Sequence, residues 1–372
     1  MSRLRSVQTL IASVALLAIV ALIGSGASLA TQQDFITALV SATIVYGLYV
    51  FVGNSGVISF GHISFVAVGA FSAGVMTIPT GPKHLVLPGL WSFIAHHSVS
   101  TFVSLVIAAA LGAIFALIVG LPLMRLSGIA AGIATFAVLE ITYTVLSQDT
   151  KIGPGPTTLS LVPTSVGISQ SLLGAVFAAI VAFIYQSSRR GRLLRASRED
   201  PAAAQAVGVN ITRERLVAFT VSGALAGLGG GLLVHQLGSI TAGQVYLELT
   251  FLTLAMLVIG GSASLWGATI GALGISLLNS WLSAAENTVH VVFFSITLPN
   301  GASDLILGVI MAAMLLFRPQ GVTGGAEFSV AATGRLLRRA LSLGRGRSTP
   351  NGPSEPAEPA RLETTHPVEP LQ

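Results

Sequence analysis

Small polar side chains and two ionisable groups interrupt apolar stretches at two places in the chain. The first place is a histidine within a cluster of glycines and serines: Gly56, Ser59, Gly61, His62 and Ser64. The second place is Thr135 and Glu140, in the run GIATFAVLEITYTV. An ionisable side chain inside an apolar stretch contacts protein or water rather than lipid. Both places are therefore candidates for hydrogen bonding to a small solute, with a structural histidine and a hydrated boundary glutamate as the alternatives.

Motifs for catalysis are absent from the sequence. The chain contains no cysteine, which excludes disulfides, thiolate metal sites and a cysteine nucleophile. Its only lysines, Lys83 and Lys151, do not follow a glycine-rich phosphate-binding loop. No HExxH zinc motif occurs, and histidine and aspartate are isolated within the apolar stretches. We therefore predict that the chain is not an enzyme, does not hydrolyse ATP itself, and has no metal or cofactor of its own.

The composition indicates an integral membrane protein. Apolar residues make up 52% of the 372 residues, charged residues make up only 9%, and the mean hydropathy is +0.82. These values lie outside the range of soluble domains. Because a bilayer core takes about 20 apolar residues per helix, the apolar runs predict an all-α fold with about ten transmembrane helices: residues 9–30, 35–52, 57–78, 99–121, 127–147, 167–186, 216–236, 248–266, 268–285 and 302–317.

The basic residues set the expected orientation of these helices. With the N-terminus in the cytoplasm, all 19 lysines and arginines except Lys83 and Lys151 are cytoplasmic, in agreement with the positive-inside rule. Both termini are then cytoplasmic. We expect a cytoplasmic N-terminus (1–8), a transmembrane domain (9–318) and a cytoplasmic tail (319–372) that is disordered because it has few apolar residues. The first apolar run resembles a signal peptide, but it is long enough to span.

A charged loop, residues 187–215, separates the sixth and seventh predicted helices. Asp200 and Pro201 are typical of a helix start, and Gly208 is typical of a helix end, so we predict a helix of two to three turns between them. Ala203, Ala206 and Val207 share one apolar face of that helix. Such a face could bind a protein groove. Alternatively, the arginines of the loop hold it on anionic lipid headgroups.

The loop sequence RASREDPAAAQAVGVN resembles the ATPase-coupling loop of permeases in the branched-chain amino-acid ABC transporter family. The segments NSGVISFGHISFVAVGAFSAGVMT, GLPLMRLSGIAAGIATFAVLEI, VIGGSASLWGATIGA and LILGVIMAAMLLFRPQG resemble the same family, in the same order. ABC importers in general have Glu-Ala-Ala, three residues and Gly in this loop, whereas this chain has three alanines before Gly208. The resemblance implies that the coupling residues are Arg198, Glu199, Asp200, Ala203, Ala206, Val207 and Gly208.

This resemblance implies a permease domain in the plasma membrane, which is the inner membrane of a bacterium. The expected partners are a homologous second permease subunit, two cytoplasmic ATPase subunits that bind the ATP, an extracytoplasmic solute-binding protein and the lipid bilayer. Nucleic acid is not expected, because the basic residues lie between apolar spans. The implied function is alternating-access import of branched-chain amino acids or a related small solute. An ATPase-independent secondary transporter or channel is the alternative, although no set of ion-coupling residues accompanies it.

Overall fold

The computed structural model of the protein describes residues 2–286, 289–291, 294–296, 299, 301–318 and 320–327. Within these residues the chain forms fourteen α-helices in the order α1 Ser2–Ser25, α2 Leu29–Ser55, α3 His62–Thr77, α4 Thr80–Val86, α5 Ser92–Ala95, α6 Thr101–Leu123, α7 Gly128–Gln148, α8 Ile168–Ser187, α9 Arg189–Glu199, α10 Pro201–Ala206, α11 Ile211–Leu237, α12 Leu247–Gly260, α13 Leu265–Glu286 and α14 Ala302–Phe317.

Eight helical segments in the described part of the chain are long and apolar enough to cross a membrane. Every predicted span coincides with a helix, so the helical membrane class is confirmed. Two of the ten, α3 and α14, have only 16 residues each and fall below that length. The predicted third span began at residue 57, whereas α3 begins at His62. Residues 57–61, which the prediction placed in this span, are not helical.

The structure contains short strands and helices outside the spans that the sequence did not predict. Strands β1 (Val289–Val291) and β2 (Phe294–Ile296) pair antiparallel, with Val289 opposite Ile296. Helices α4 and α5 lie between α3 and α6, where only a polar stretch was expected. The buried Lys83 of α4 donates hydrogen bonds from Nζ to the carbonyls of Ile94 and His97, both at 2.8 Å. These bonds hold α4 and the α5 region together.

Helix α11 lies at the centre of the bundle, against α2, α3 and α6. The helices meet at glycines, because small residues let backbones approach closely in lipid. A Cβ atom added at Gly227 would lie 2.3 Å from the carbonyl oxygen of Ala108, and one at Gly230 would lie 2.0 Å from that of Val66. Gly128, at the start of α7, instead faces open space.

Residues 320–327, named here the C-terminal arm, pack against the turn between α12 and α13. Val322 N donates to the carbonyl of Ile259 at 2.8 Å, and Thr323 Oγ1 donates to that of Gly260 at 2.9 Å. The sequence had assigned this arm to a disordered tail. Its backbone hydrogen bonds to α12 hold it against the transmembrane helices. Residues 328–372 of the predicted tail lie outside the described residues.

Candidate functional site

A break between α2 and α3 carries the first predicted cluster. Helix α2 ends at Gly56, whose φ of 72° is in the left-handed region that favours glycine. The following residues, 57–61, are not helical and contact α7: Phe60 N donates to Thr135 Oγ1 at 3.2 Å. Thr135 lies about two turns into α7, so the break reaches roughly 10 Å into the span. The fold therefore brings Thr135, from the second candidate place, beside the first cluster.

Three polar side chains at the start of α3 are buried inside the bundle. The Nδ1 atom of His62 lies 3.2 Å from Ser222 Oγ on α11. His62 Nε2 and the hydroxyl oxygens of Ser59 and Ser64 have no hydrogen-bond partner among the described residues. Buried polar atoms of this kind are costly unless they gain a partner. A solute that enters between the helices would supply one, but these atoms are occluded in this conformation.

Glu140 lies apart from that cluster, on an exposed face of α7. Glu140 accepts a hydrogen bond from the hydroxyl of Tyr246, the residue immediately before α12. The rings of Tyr246 and Tyr143 stack with centroids 4.1 Å apart. Sequence reasoning did not find Tyr246, because 106 residues separate it from Glu140 and no local pattern joins them. The arrangement is a carboxylate beside two phenols, facing outwards from this chain.

The charged loop forms two helices, α9 and α10, rather than one. Helix α10 has only six residues, so the predicted length of two to three turns was too long. The eleven residues Arg189–Glu199, which precede Asp200, form α9. Asp200 caps α10 as predicted, since its Oδ1 accepts from Ala203 N at 2.9 Å. Gly208 has φ of 83°, as expected for a helix end.

The predicted apolar face of α10 is open to solvent. Ala203 and Ala206 are exposed, and Val207 retains 80% of its accessible surface. Ala204 is buried instead and fixes α10 to the rest of the chain. A large apolar side chain exposed beside small ones at a charged surface is suited to binding a protein groove. Glu199 is exposed at the end of α9.

Arg198 connects the α9–α10 segment to the helix break. Its Nη1 donates to the carbonyl of Gly53 at 3.2 Å. A Cβ atom added at Gly56 would lie 2.9 Å from Arg198 Cδ, so a larger residue at position 56 would displace the arginine. A predicted pathway residue and a predicted coupling residue are thus in direct contact.

The C-terminal arm also reaches the α8–α9 corner. The Glu327 carboxylate accepts from Leu265 N at 3.2 Å, at the start of α13, and it is hydrogen bonded to the side chain of Gln186. Gln186 in turn receives hydrogen bonds from the Tyr49 hydroxyl and, on its backbone carbonyl, from Arg195 Nη2 at 2.7 Å. Burial raises the pKa of Glu327 above its usual range. No sequence pattern indicated this network.

A cavity of about 550 Å³ opens at the same end of the bundle. We call it the arginine cavity, because Arg198 and Arg215 line it together with the helix break, the start of α7 and Pro201. Arg215 Nη1 donates to the carbonyl of Leu126 at 3.3 Å. The cavity joins the break that carries the first cluster to the α9–α10 segment.

The span-length helices define a multi-pass membrane protein, in which the α2–α3 pair is broken inside the span. Residues 33–315 match the model of the family described as branched-chain amino acid transport system / permease component, and the chain belongs to this family. It is therefore a multi-pass protein of the inner membrane, and the family is one of transport permeases rather than enzymes.

Several curated relatives agree with this family. The chain is 26% identical to the high-affinity branched-chain amino acid transport system permease protein LivM of Salmonella typhimurium, over 76% of this chain and 69% of the relative. It is 36% identical to a probable LivH permease of Methanocaldococcus jannaschii, over 36% of this chain and 40% of the relative. An autoinducer 2 import system permease, LsrC of an Enterobacter species, is 28% identical over 58% of this chain and 62% of the relative. No solved structure is significantly similar.

Proposed function

We propose that this chain is the transmembrane subunit of an ABC importer that moves branched-chain amino acids or a related small solute into the cell. Membership of the permease family supports the importer, and the names of the LivM and LivH relatives support the solute class. The observation that carries the mechanism is the contact of Arg198 with Gly53 and Gly56, since it joins a solvent-exposed docking segment to a break inside the span.

The α9–α10 segment is the ATPase-docking element of this proposal. Two cytoplasmic ATPase subunits bind ATP, which this chain does not bind, and one of them contacts the exposed face of Ala203, Ala206 and Val207. Both termini and this segment are then cytoplasmic, with ten membrane spans. A homologous second permease completes the membrane unit, and an extracytoplasmic solute-binding protein delivers the solute.

Movement of the docking segment would be passed to the helix break through Arg198. ATP binding closes the ATPase pair, the segment moves with it, and the break shifts relative to α7 and α11. Ser59, Gly61, His62, Ser64 and Thr135 line the part of the pathway that opens, and the unpartnered atoms of the first cluster bind the solute there. Alternating access of this kind needs contacts that differ between the two states.

Co-purification of the tagged chain from its native membrane tests the docking element. Val207→Asp and Ala203→Asp place a charge on the exposed face, while Gln205→Asp places the same charge on the opposite, exposed side of α10. We expect an ATPase to co-purify with the wild-type chain and with Gln205→Asp, and to be lost from the other two variants. All variants should elute from a sizing column as the wild type does.

Reconstitution in vesicles separates the importer from the alternative of an ATPase-independent secondary transporter or channel. Uptake of radiolabelled leucine should require the co-purified ATPase. It should also require ATP on the side of the vesicle membrane that carries the docking segment. Leucine uptake by the chain alone, without ATP, would overturn the importer and favour the alternative. Failure of the complex to move any branched-chain amino acid, with ATP hydrolysis intact, would overturn only the solute class.

A further inference from the structure

The arginine cavity lies at the level where the spans end. The last turn of α2, the first turn of α7 and the start of the second turn of α11 all line it. Ends of transmembrane helices lie at the headgroup region of a bilayer. The cavity therefore lies at the depth of the lipid headgroups, whichever way the protein is oriented.

The side chains that line this cavity carry positive charge and no negative charge. Arg198 and Arg215 line it, and none of the other described lining residues is acidic. Each guanidinium carries five N–H donors, of which Arg198 gives one to Gly53 and Arg215 gives one to Leu126. The Nε atom of Arg215 has no hydrogen-bond partner among the described residues. Donors thus remain for an anion with several oxygens.

The start of α7 adds to the attraction for an anion. The first N–H groups of a helix have no partner within the helix and carry partial positive charge. The preceding residue, Ser127, makes no side-chain cap there, and Gly128 faces open space with φ of 59°. The bond from Arg215 to Leu126 holds its guanidinium beside this helix start. Anions with phosphate geometry are favoured at such a position.

One wall of the cavity is apolar and continues along the outside of α7. Ile129 is 83% exposed and Ile133, one turn further, is 66% exposed. Ile58 on the helix break is half exposed beside them. A ligand that matches both parts of the site has an anionic head for the arginines and a long aliphatic chain for the isoleucines.

From this combination we propose that the arginine cavity binds an anionic phospholipid, with its phosphate at Arg198 and Arg215 and an acyl chain along Ile129 and Ile133. Bilayers contain such molecules at this depth, and basic pockets between helix ends recognise their headgroups. The site goes beyond solute import. Because Arg198 belongs to the docking segment, the bound lipid stabilises the contact of that segment with the helix break and makes it depend on membrane composition.

Native mass spectrometry of the full chain, purified in detergent, tests the site with two lipids of equal chain length. Dioleoyl phosphatidylglycerol is the anionic probe, and dioleoyl phosphatidylcholine is the zwitterionic one. We expect Arg198→Gln/Arg215→Gln to retain about tenfold less phosphatidylglycerol than the wild type, as expected for the loss of charge-assisted hydrogen bonds. Retention of phosphatidylcholine should not change. Arg189→Gln, an exposed arginine on α9 outside this cavity, is the matched control.

Crosslinking on the wild-type chain makes the test independent of whether the arginine variants fold. A phosphatidylglycerol analogue with a photoreactive group in its acyl chain should label residues 129–133 of α7, and unlabelled phosphatidylglycerol should suppress the label. Equal retention of both lipids, or labelling spread evenly over the apolar surface, would overturn the proposal. Suppression of the label by millimolar inorganic phosphate would also overturn it, in favour of a free anion as the ligand. Suppression by millimolar leucine would overturn it in favour of the transported solute.

Discussion

Glycine is required for different reasons in two regions of the molecule. These regions are the core around helix α11 and the α9–α10 segment. Gly230 in α11 has helical backbone angles, and it is required because the carbonyl of Val66 occupies the position of a side chain. Gly208 after α10 has open space around it, and it is required by its φ of 83°. The core excludes even a methyl group, whereas the segment leaves small and apolar side chains exposed. One region is fixed by packing, and the other is free to bind a partner.

The largest expected effect is a loss of folded protein from Gly230→Ala. The new methyl group would lie 2.0 Å from a backbone oxygen and 2.9 Å from Ala70 N, so helices α3 and α11 would have to separate. We expect a destabilisation of about 3 kcal/mol or more, read as a lower melting temperature in detergent.

The matched control for that change is Gly274→Ala in α13. No atom lies within 4 Å of the position of its Cβ, and the residue is helical. Alanine is favoured over glycine in a helix by about 1 kcal/mol, so the melting temperature should stay level or rise. If both alanine variants melt alike, close backbone packing is not what distinguishes the core.

Lys83→Met should have the next largest effect, confined to α4 and α5. The substitution removes two hydrogen bonds and leaves the carbonyls of Ile94 and His97 without that donor. The expected local cost is about 2 kcal/mol, seen as faster hydrogen exchange in residues 80–97. The exposed Lys151→Met is the control. Unchanged exchange in Lys83→Met would show that other contacts fix this region.

A smaller effect is expected from Asp200→Ala at the start of α10. The change removes the acceptor for Ala203 N and should cost about 1 kcal/mol of local helix stability. Hydrogen exchange in residues 201–207 should rise, and ATPase recovery should fall, while the melting temperature of the bundle stays the same. Asp200→Asn keeps the acceptor and should behave like the wild type. A fall in bundle stability would contradict the independence of the two regions.

The smallest effect is a pH dependence of the C-terminal arm that comes from Glu327. Burial raises the pKa of this carboxyl in the folded state. The stabilisation that the carboxyl gives to the packed arm is therefore complete below the unfolded pKa, and it is lost as pH rises through the folded pKa. Proteolysis of residues 320–327 should therefore become faster as the pH rises from below the usual glutamate pKa through the raised pKa of the folded state. Glu327→Gln cannot titrate, so it should flatten this profile, and an unchanged profile would assign the dependence to another group.

Hydropathy in the sequence was sufficient to place the long apolar helices, since each helix in a bilayer must satisfy its own backbone hydrogen bonds. The cap at Asp200 was also predictable, because an N-cap depends on neighbours within three residues. The length of α10 was not, since the preceding arginines form a helix of their own. Nor did the sequence show that α3 starts inside the span, because residues 57–61 are as apolar as the helices around them.

The sequence by itself determined the membrane class, the positions of the long apolar helices and the local start of α10, all of which depend on composition or on near neighbours. Only the tertiary structure decided that Arg198 contacts Gly56, that Tyr246 binds Glu140, and that the C-terminal arm caps α13. Each of these contacts joins residues far apart in the chain. Which of these residues meet depends on how the helices pack, and a local sequence pattern does not specify that packing.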